Sequence, residues 1–197
     1  MPARAVVQPG WLRISHWINA LAVVIMVTSG WRIYNASPLF ELRFSDTITL
    51  GGWLGGALQW HFAGMWLLAC NGLFYLACNL GTGRMASRFF PIKLSALAHD
   101  SAAALRGKLT HADPRHYNSI QRLAYLFAVA VLLVLVLSGM ALWKPVQFSA
   151  LSTLFGDYEL TRRVHFFSMV GLVAFVVVHV AMVAIVPRTL LTMIRGR

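Results

Sequence analysis

Apolar positions along this chain do not alternate with polar ones; they run on unbroken. No Asp, Glu, Lys or Arg interrupts Ile14–Trp31, Thr47–Gly83, Leu123–Trp143 or Val164–Pro187. A helix needs about 20 apolar residues to cross the hydrocarbon of a bilayer, and each run approaches or exceeds that length. The second run is longer than one crossing. It opens on "LGGWLGG", which reads as loop, so its helix is expected to begin near Ala57. The spans are expected at about 12–33, 57–80, 119–142 and 163–187, with the first able to start as early as Gly10. This predicts an all-α fold: one domain over residues 1–197, an integral membrane four-helix bundle. A soluble fold would leave these runs exposed or demand an implausibly apolar core. The first run lacks a small-residue cleavage site and carries His16 and Trp17 near its start, unlike a cleaved signal peptide.

Composition agrees. The chain is 58% hydrophobic and only 12% charged, with a mean hydropathy of +0.67, whereas about a quarter of a soluble domain is charged. The net charge of +11 is distributed unevenly. Arg4, Arg13, seven basic residues from Arg84 to Arg122, and Arg188, Arg195 and Arg197 lie on one side of the spans, against Asp100 and Asp113. The other side has Arg32, Arg43, Lys144, Arg162 and Arg163 against Glu41, Asp46, Asp157 and Glu159. The bias toward Lys and Arg predicts that both termini are cytoplasmic. The charge then reflects topology and attraction to anionic membrane lipid, and nothing suggests a nucleic-acid partner.

Ionisable side chains inside apolar spans are expensive and functional by default. The fourth span, "RVHFFSMVGLVAFVVVHVAMV", contains His165 and His179. Fourteen residues of helix return to within about 40° of the starting direction and rise ~21 Å, so these two face one way at two depths. His16 lies near the cytoplasmic end of the first span and His61 near the periplasmic end of the second. The histidines therefore pair by depth: His61 with His165, and His16 with His179. Opposed imidazoles at two depths suit two six-coordinate haems held between the helices of a bundle. The sequence has no CxxCH, so the haems are expected to be non-covalent.

Arg13, on the helix face of His16, and Arg162 and Arg163, just before His165, are candidates for the haem propionates. Gly30, Gly64, Gly139 and Gly171 could admit a flat macrocycle. The alternatives are ordinary: an intramembrane His often makes a polar contact between helices, small residues pack membrane helices, and arginines anchor span ends. His99, His111 and His116 fall in the long cytoplasmic loop, where "FFPIKLSALAHDSAAALRG" is expected to form an amphipathic surface helix. Cys70 and Cys78 are expected to be buried packing residues. "TSGWRIY" and "LSGMALW" close the first and third spans alike, too short a match to argue duplication.

The third span opens "HYNSIQRLAY". Asn118 followed by Gln121 resembles a capping box, which explains the pair adequately. The same amides could also hydrogen-bond a quinone head group in an apolar cleft beside the cytoplasmic haem.

"RISHW", "HFAGM", "YNSIQRLAY" and "VHFF…FVVVHV" together resemble the bacterial cytochrome b561 and nickel–iron hydrogenase b-type cytochrome family, which includes the gamma subunits of membrane formate dehydrogenases. The resemblance covers nearly the whole chain. It implies two haems b, with His16, His61, His165 and His179 as axial ligands of the iron, and a quinone near Asn118 and Gln121. It also implies an electron-transfer subunit of the bacterial inner membrane, carrying electrons from a periplasmic oxidoreductase to quinone. The closing "HVAMVAIVPRTLLTMIRGR" resembles subunits that accompany periplasmic molybdopterin oxidoreductases. A stand-alone superoxide:quinone oxidoreductase is the alternative. A histidine-lined metal transporter would want acids in its spans, and no span holds one.

Overall fold

A computed structural model describes residues 8–83 and 119–196. Six helices occur among them: α1 Gly10–Ala36, α2 Leu54–Gly81, α3 Ser119–Trp143, α4 Ser149–Phe155, α5 Tyr158–Ile185 and α6 Arg188–Arg195. A 3-10 turn covers Asp46–Ile48, and the described residues contain no strand. The helices α1, α2, α3 and α5 are long and apolar enough to cross a membrane, as expected. The loop that carries His99, His111 and His116, and its expected surface helix, lie outside the described residues.

The chain forms two compact units, one of α1, α2 and α6, the other of α3, α4 and α5. In the first unit α1 and α2 run antiparallel. Trp11 meets Tyr75 at one end, Met26 meets Gly64 further along, and Ser29 meets His61 beyond that. In the second, Phe127 meets Phe175 and Ser138 meets His165, again antiparallel.

Both pairs pack on small residues. Ala22, Ser29, Ala57 and Gly64 are buried in the first unit, and Ser138 and Ala141 in the second. Large apolar side chains face outward instead, among them Leu73, Leu80, Val177 and Val178. That inversion of a soluble core suits helices solvated by lipid, where close backbone approach rather than apolar burial drives association. At Gly64 an added Cβ would lie 3.0 Å from Ile25 and Met26, so this glycine is a helix contact. Gly171 likewise faces Phe127 and Val131.

Two helix starts differ from expectation. Helix α2 begins at Leu54, not Ala57, because "LGGWLGG" divides in the middle. Gly51 and Gly52 take φ of 110° and 69° and make the turn, whereas Gly55 and Gly56 are helical. Their missing Cβ atoms are what admit the Trp53 ring and the Gly51 carbonyl. Helix α5 begins at Tyr158, five residues before the expected start, since Asp157 Oδ1 accepts from Leu160 N at 2.6 Å. An N-cap of this kind with Glu159 in the first turn starts a helix ahead of its apolar run.

The tightest polar clamp between α1 and α2 is Asn71. Its Nδ2 donates to Ser15 O at 2.8 Å and to Asn19 Oδ1 at 2.7 Å. Hydrogen bonds between membrane helices contribute about 1 kcal/mol each. Asn71→Ala is therefore expected to destabilise the α1–α2 pair by about 1–2 kcal/mol, read as a lower unfolding midpoint in detergent. An unchanged midpoint would mean that the small-residue contacts alone hold the pair.

Candidate functional site

In the first unit His16 is six residues into α1, and His61 is seven residues after the start of α2. Because α2 runs back along α1, His61 lies beside Ser29. Thirteen residues of α1 separate Ser29 from His16, a rise of about 20 Å. In the second unit His165 is seven residues after the start of α5 and lies beside Ser138. His179 follows about 21 Å further along the same helix. Each unit thus brings two imidazoles to two depths.

His61 and His165 are held by one device, used twice. Ser29 Oγ is 3.0 Å from His61 Nδ1, and Ser138 Oγ is 2.9 Å from His165 Nδ1. The next residue is glycine in both cases. A Cβ on Gly30 would stand 3.5 Å from His61 Cε1, and one on Gly139 would stand 3.3 Å from His165 Cε1. Both rings thus lie close against the neighbouring helix at a glycine; a Cβ would be tight at Gly139 and in ordinary contact at Gly30. Their sequence signature is the shared "SG" of "TSGWRIY" and "LSGMALW". Sequence reasoning missed the serines as site residues because a dipeptide cannot say which side chain stands opposite it.

His16 is half-buried, its ring edge-on to Trp17 at 5.4 Å. His179 is exposed and stacks on Phe175, with centroids 5.9 Å apart. An exposed imidazole on an apolar span is costly in hydrocarbon unless something covers it.

The arginines have partners within the protein. Arg13 Nη1 donates to Ile194 O at 2.6 Å, holding the end of α6 against the start of α1. Arg162 pairs with Glu159 at 2.9 Å, and Arg163 approaches the same carboxylate at 3.7 Å. Gln121 is half-buried in the first turn of α3. Asn118, and with it the expected cap, lies outside the described residues. Cys70 is exposed and Cys78 half-buried, both as free thiols. The expectation of buried packing cysteines is thus corrected: on a helix solvated by lipid, a thiol is at home on the outer face.

The loop from Tyr34 to Leu54 is folded onto the end of α1. Arg32 pairs with Asp46. Asn35 exchanges two hydrogen bonds with the Phe44 backbone, at 2.7 and 2.9 Å, and Trp31 stacks on Phe44 at 4.8 Å.

Apolar helices with imidazoles set into them, two in each unit, suit a membrane electron carrier. The family model of prokaryotic cytochrome b561 matches residues 7–196, and the chain belongs to that family. A protein of Azospira oryzae described as "Putative protein-methionine-sulfoxide reductase subunit YedZ1" is 62% identical over 190 residues, covering 96% of each chain. No solved structure matches the chain.

Membership makes this a multi-pass membrane protein, implies b-type haem, and supports transmembrane electron transfer. The residues present fit that group. The polar donors set into the spans include imidazoles, a group able to ligate haem iron. Among the described residues, no three His, Cys, Asp or Glu side chains cluster as a metal-ion site would require.

Proposed function

We propose that the chain carries electrons between membrane quinone and a periplasmic oxidoreductase through two haems b. The observation that carries this reading is the pair of imidazoles about 20 Å apart along the helices of each unit. Successive spans alternate in direction. The starts of α2 and α5 then open on one side of the membrane, and the start of α1 and the end of α5 lie toward the other. On this reading His61 and His165 ligate one iron, and His16 and His179 the other. The basic-residue bias puts the second pair on the cytoplasmic side, with both termini. Bound there, haem supplies one-electron redox chemistry at two depths.

The chain's own residues do the rest. The imidazoles would hold the haem iron, and the apolar helices would exclude water. Arg13, Arg162 and Arg163 supply cations near the ends of the spans for the propionates, sharing them with the acceptors they already hold. Gln121, in the first turn of α3, and Asn118, which precedes it in the sequence, would offer amides to a quinone head group on the cytoplasmic side.

The relative's description as a reductase subunit favours outward flow. Quinol would yield two electrons and two protons on the cytoplasmic side. The electrons would cross to a periplasmic partner, where a sulfoxide, two electrons and two protons give thioether and water. This reverses the direction suggested by the formate dehydrogenase likeness. It also favours a partnered subunit over the stand-alone superoxide:quinone oxidoreductase.

A pyridine haemochrome assay of purified protein is expected to give two haems per chain, extractable with acid–acetone. Redox titration should then lose one component in His61→Ala and a different one in His179→Ala. One haem per chain, or loss of the same component in both variants, would sink the paired scheme.

The quinone assignment makes a separate prediction. Asn118→Ala and Gln121→Ala are expected to keep both haems and slow electron exchange with a soluble quinone in stopped flow. A capping role alone would cost about 1 kcal/mol of helix stability and leave the kinetics at wild type.

A further inference from the structure

Ser29 and Ser138 each touch three groups: the carbonyls three and four residues back, the former at 3.3 Å, and an imidazole. The distances decide which way each hydrogen bond runs. Ser29 Oγ is 2.6 Å from Ile25 O, and Ser138 Oγ is 2.6 Å from Val134 O. Two oxygens at that separation require a proton between them, since bare lone pairs would repel. A carbonyl has no proton to give, so each hydroxyl donates to the backbone four residues earlier. A serine has one proton. With it committed, Oγ can only accept from its third neighbour, Nδ1 of His61 at 3.0 Å or of His165 at 2.9 Å. The ring nitrogen facing the serine must therefore carry the hydrogen, and a neutral imidazole protonated on Nδ1 has its lone pair on Nε2.

We infer that Ser29 and Ser138 are positioning residues that hold His61 and His165 in the Nδ1–H tautomer, so that Nε2 is presented as the donor to haem iron. Both serines are fully buried. Each is followed by the glycine on which the ring rests, and the arrangement occurs once in each unit with His seven residues into a 28-residue helix. A chance polar contact would have no reason to recur with the same partner atom, the same committed proton and the same adjacent glycine. Accepting from Nδ1–H makes the imidazole a stronger donor at its other nitrogen. That favours ferric over ferrous iron, so the serines hold down the potential of the haem they serve. The inference deepens the haem reading and rests on it.

The test uses the haem-loaded protein with Ser29→Ala, Ser138→Ala and the corresponding Thr variants. Loss of an outer partner of a ligating His weakens metal-site affinity by about 10–100-fold. Each alanine variant is expected to lose haem more readily on dilution by a factor in that range. It should also raise the midpoint potential of one haem component and shift that component's low-spin ferric g-values. Threonine keeps the hydroxyl and its bond to the carbonyl four residues back, so it should return both readouts toward wild type. A merely structural serine would lower thermal stability and leave potential and g-values where they were. Unchanged potentials in both alanine variants, a fall in potential, or a shift that threonine leaves in place would each overturn the assignment. Wild-type protein without haem would instead overturn the reading beneath it.

Discussion

No water reaches the hydrocarbon core of a bilayer, so every polar group placed there must find its partner inside the protein. That constraint organises the described helices. Three hydroxyls in the spans bond back along their own helix: Thr28 to Val24 O at 2.8 Å, Ser29 to Ile25 O and Ser138 to Val134 O at 2.6 Å. Asn71 reaches across to α1. Many buried positions go to Ala, Ser and Gly, which let backbones approach closely enough for these bonds to form; Phe166 and Leu172 are buried as well, while Leu73, Leu80, Val177 and Val178 face outward. Imidazole is expensive in such a place, and at His61 and His165 a serine and a glycine stand beside it.

That placement connects packing to chemistry. A histidine free to rotate in an apolar span would sample several rotamers and two tautomers, only some of them useful to a metal. Resting the ring on Gly30 or Gly139 restricts the first. An acceptor at Nδ1 restricts the second. The distance between the depths follows from α-helix geometry alone: about 1.5 Å per residue over thirteen or fourteen residues. On the proposed reading, two redox centres spaced by helical rise would make a route across most of the membrane. The chain then has little acid–base work to do, and its influence lies in ligand basicity, dielectric and nearby charge.

How much of this was legible in the sequence depends on what each feature is made of. The four spans are a property of composition over 20 or more residues, and they could be read directly. The depths of the four histidines follow from counting along those spans. Helix starts were less visible. Asp157 caps α5 from outside the apolar run, and Gly55 and Gly56 look like loop until Trp53 is seen lying on them. The serines were hidden for a further reason. Their role exists only between two helices, and only the fold says that residue 29 meets residue 61 and residue 138 meets residue 165. Arg13 carried a plausible charge for a propionate, yet its contact with Ile194 joins residues at opposite ends of the chain, which no local pattern records.

The direction of flow can be argued from the energetics of the proposed scheme. An electron moving from the cytoplasmic pair, His16 and His179, to the pair His61 and His165 travels toward the positive side of an energised membrane. The field assists it by about 2.3 kcal/mol per 100 mV. Inward flow to quinone would work against the same field and would need a donor of correspondingly lower potential. A periplasmic reductase fed from quinol needs no such donor, because its electrons arrive with the membrane potential behind them and its substrate protons come from the periplasm. The protons left by quinol stay in the cytoplasm. Each turnover therefore relaxes the membrane potential by one charge per electron, and that spent potential pulls the reduction forward even from a modest quinol couple. In the proposed scheme a periplasmic partner would need no reducing cofactor supplied on its own side of the membrane.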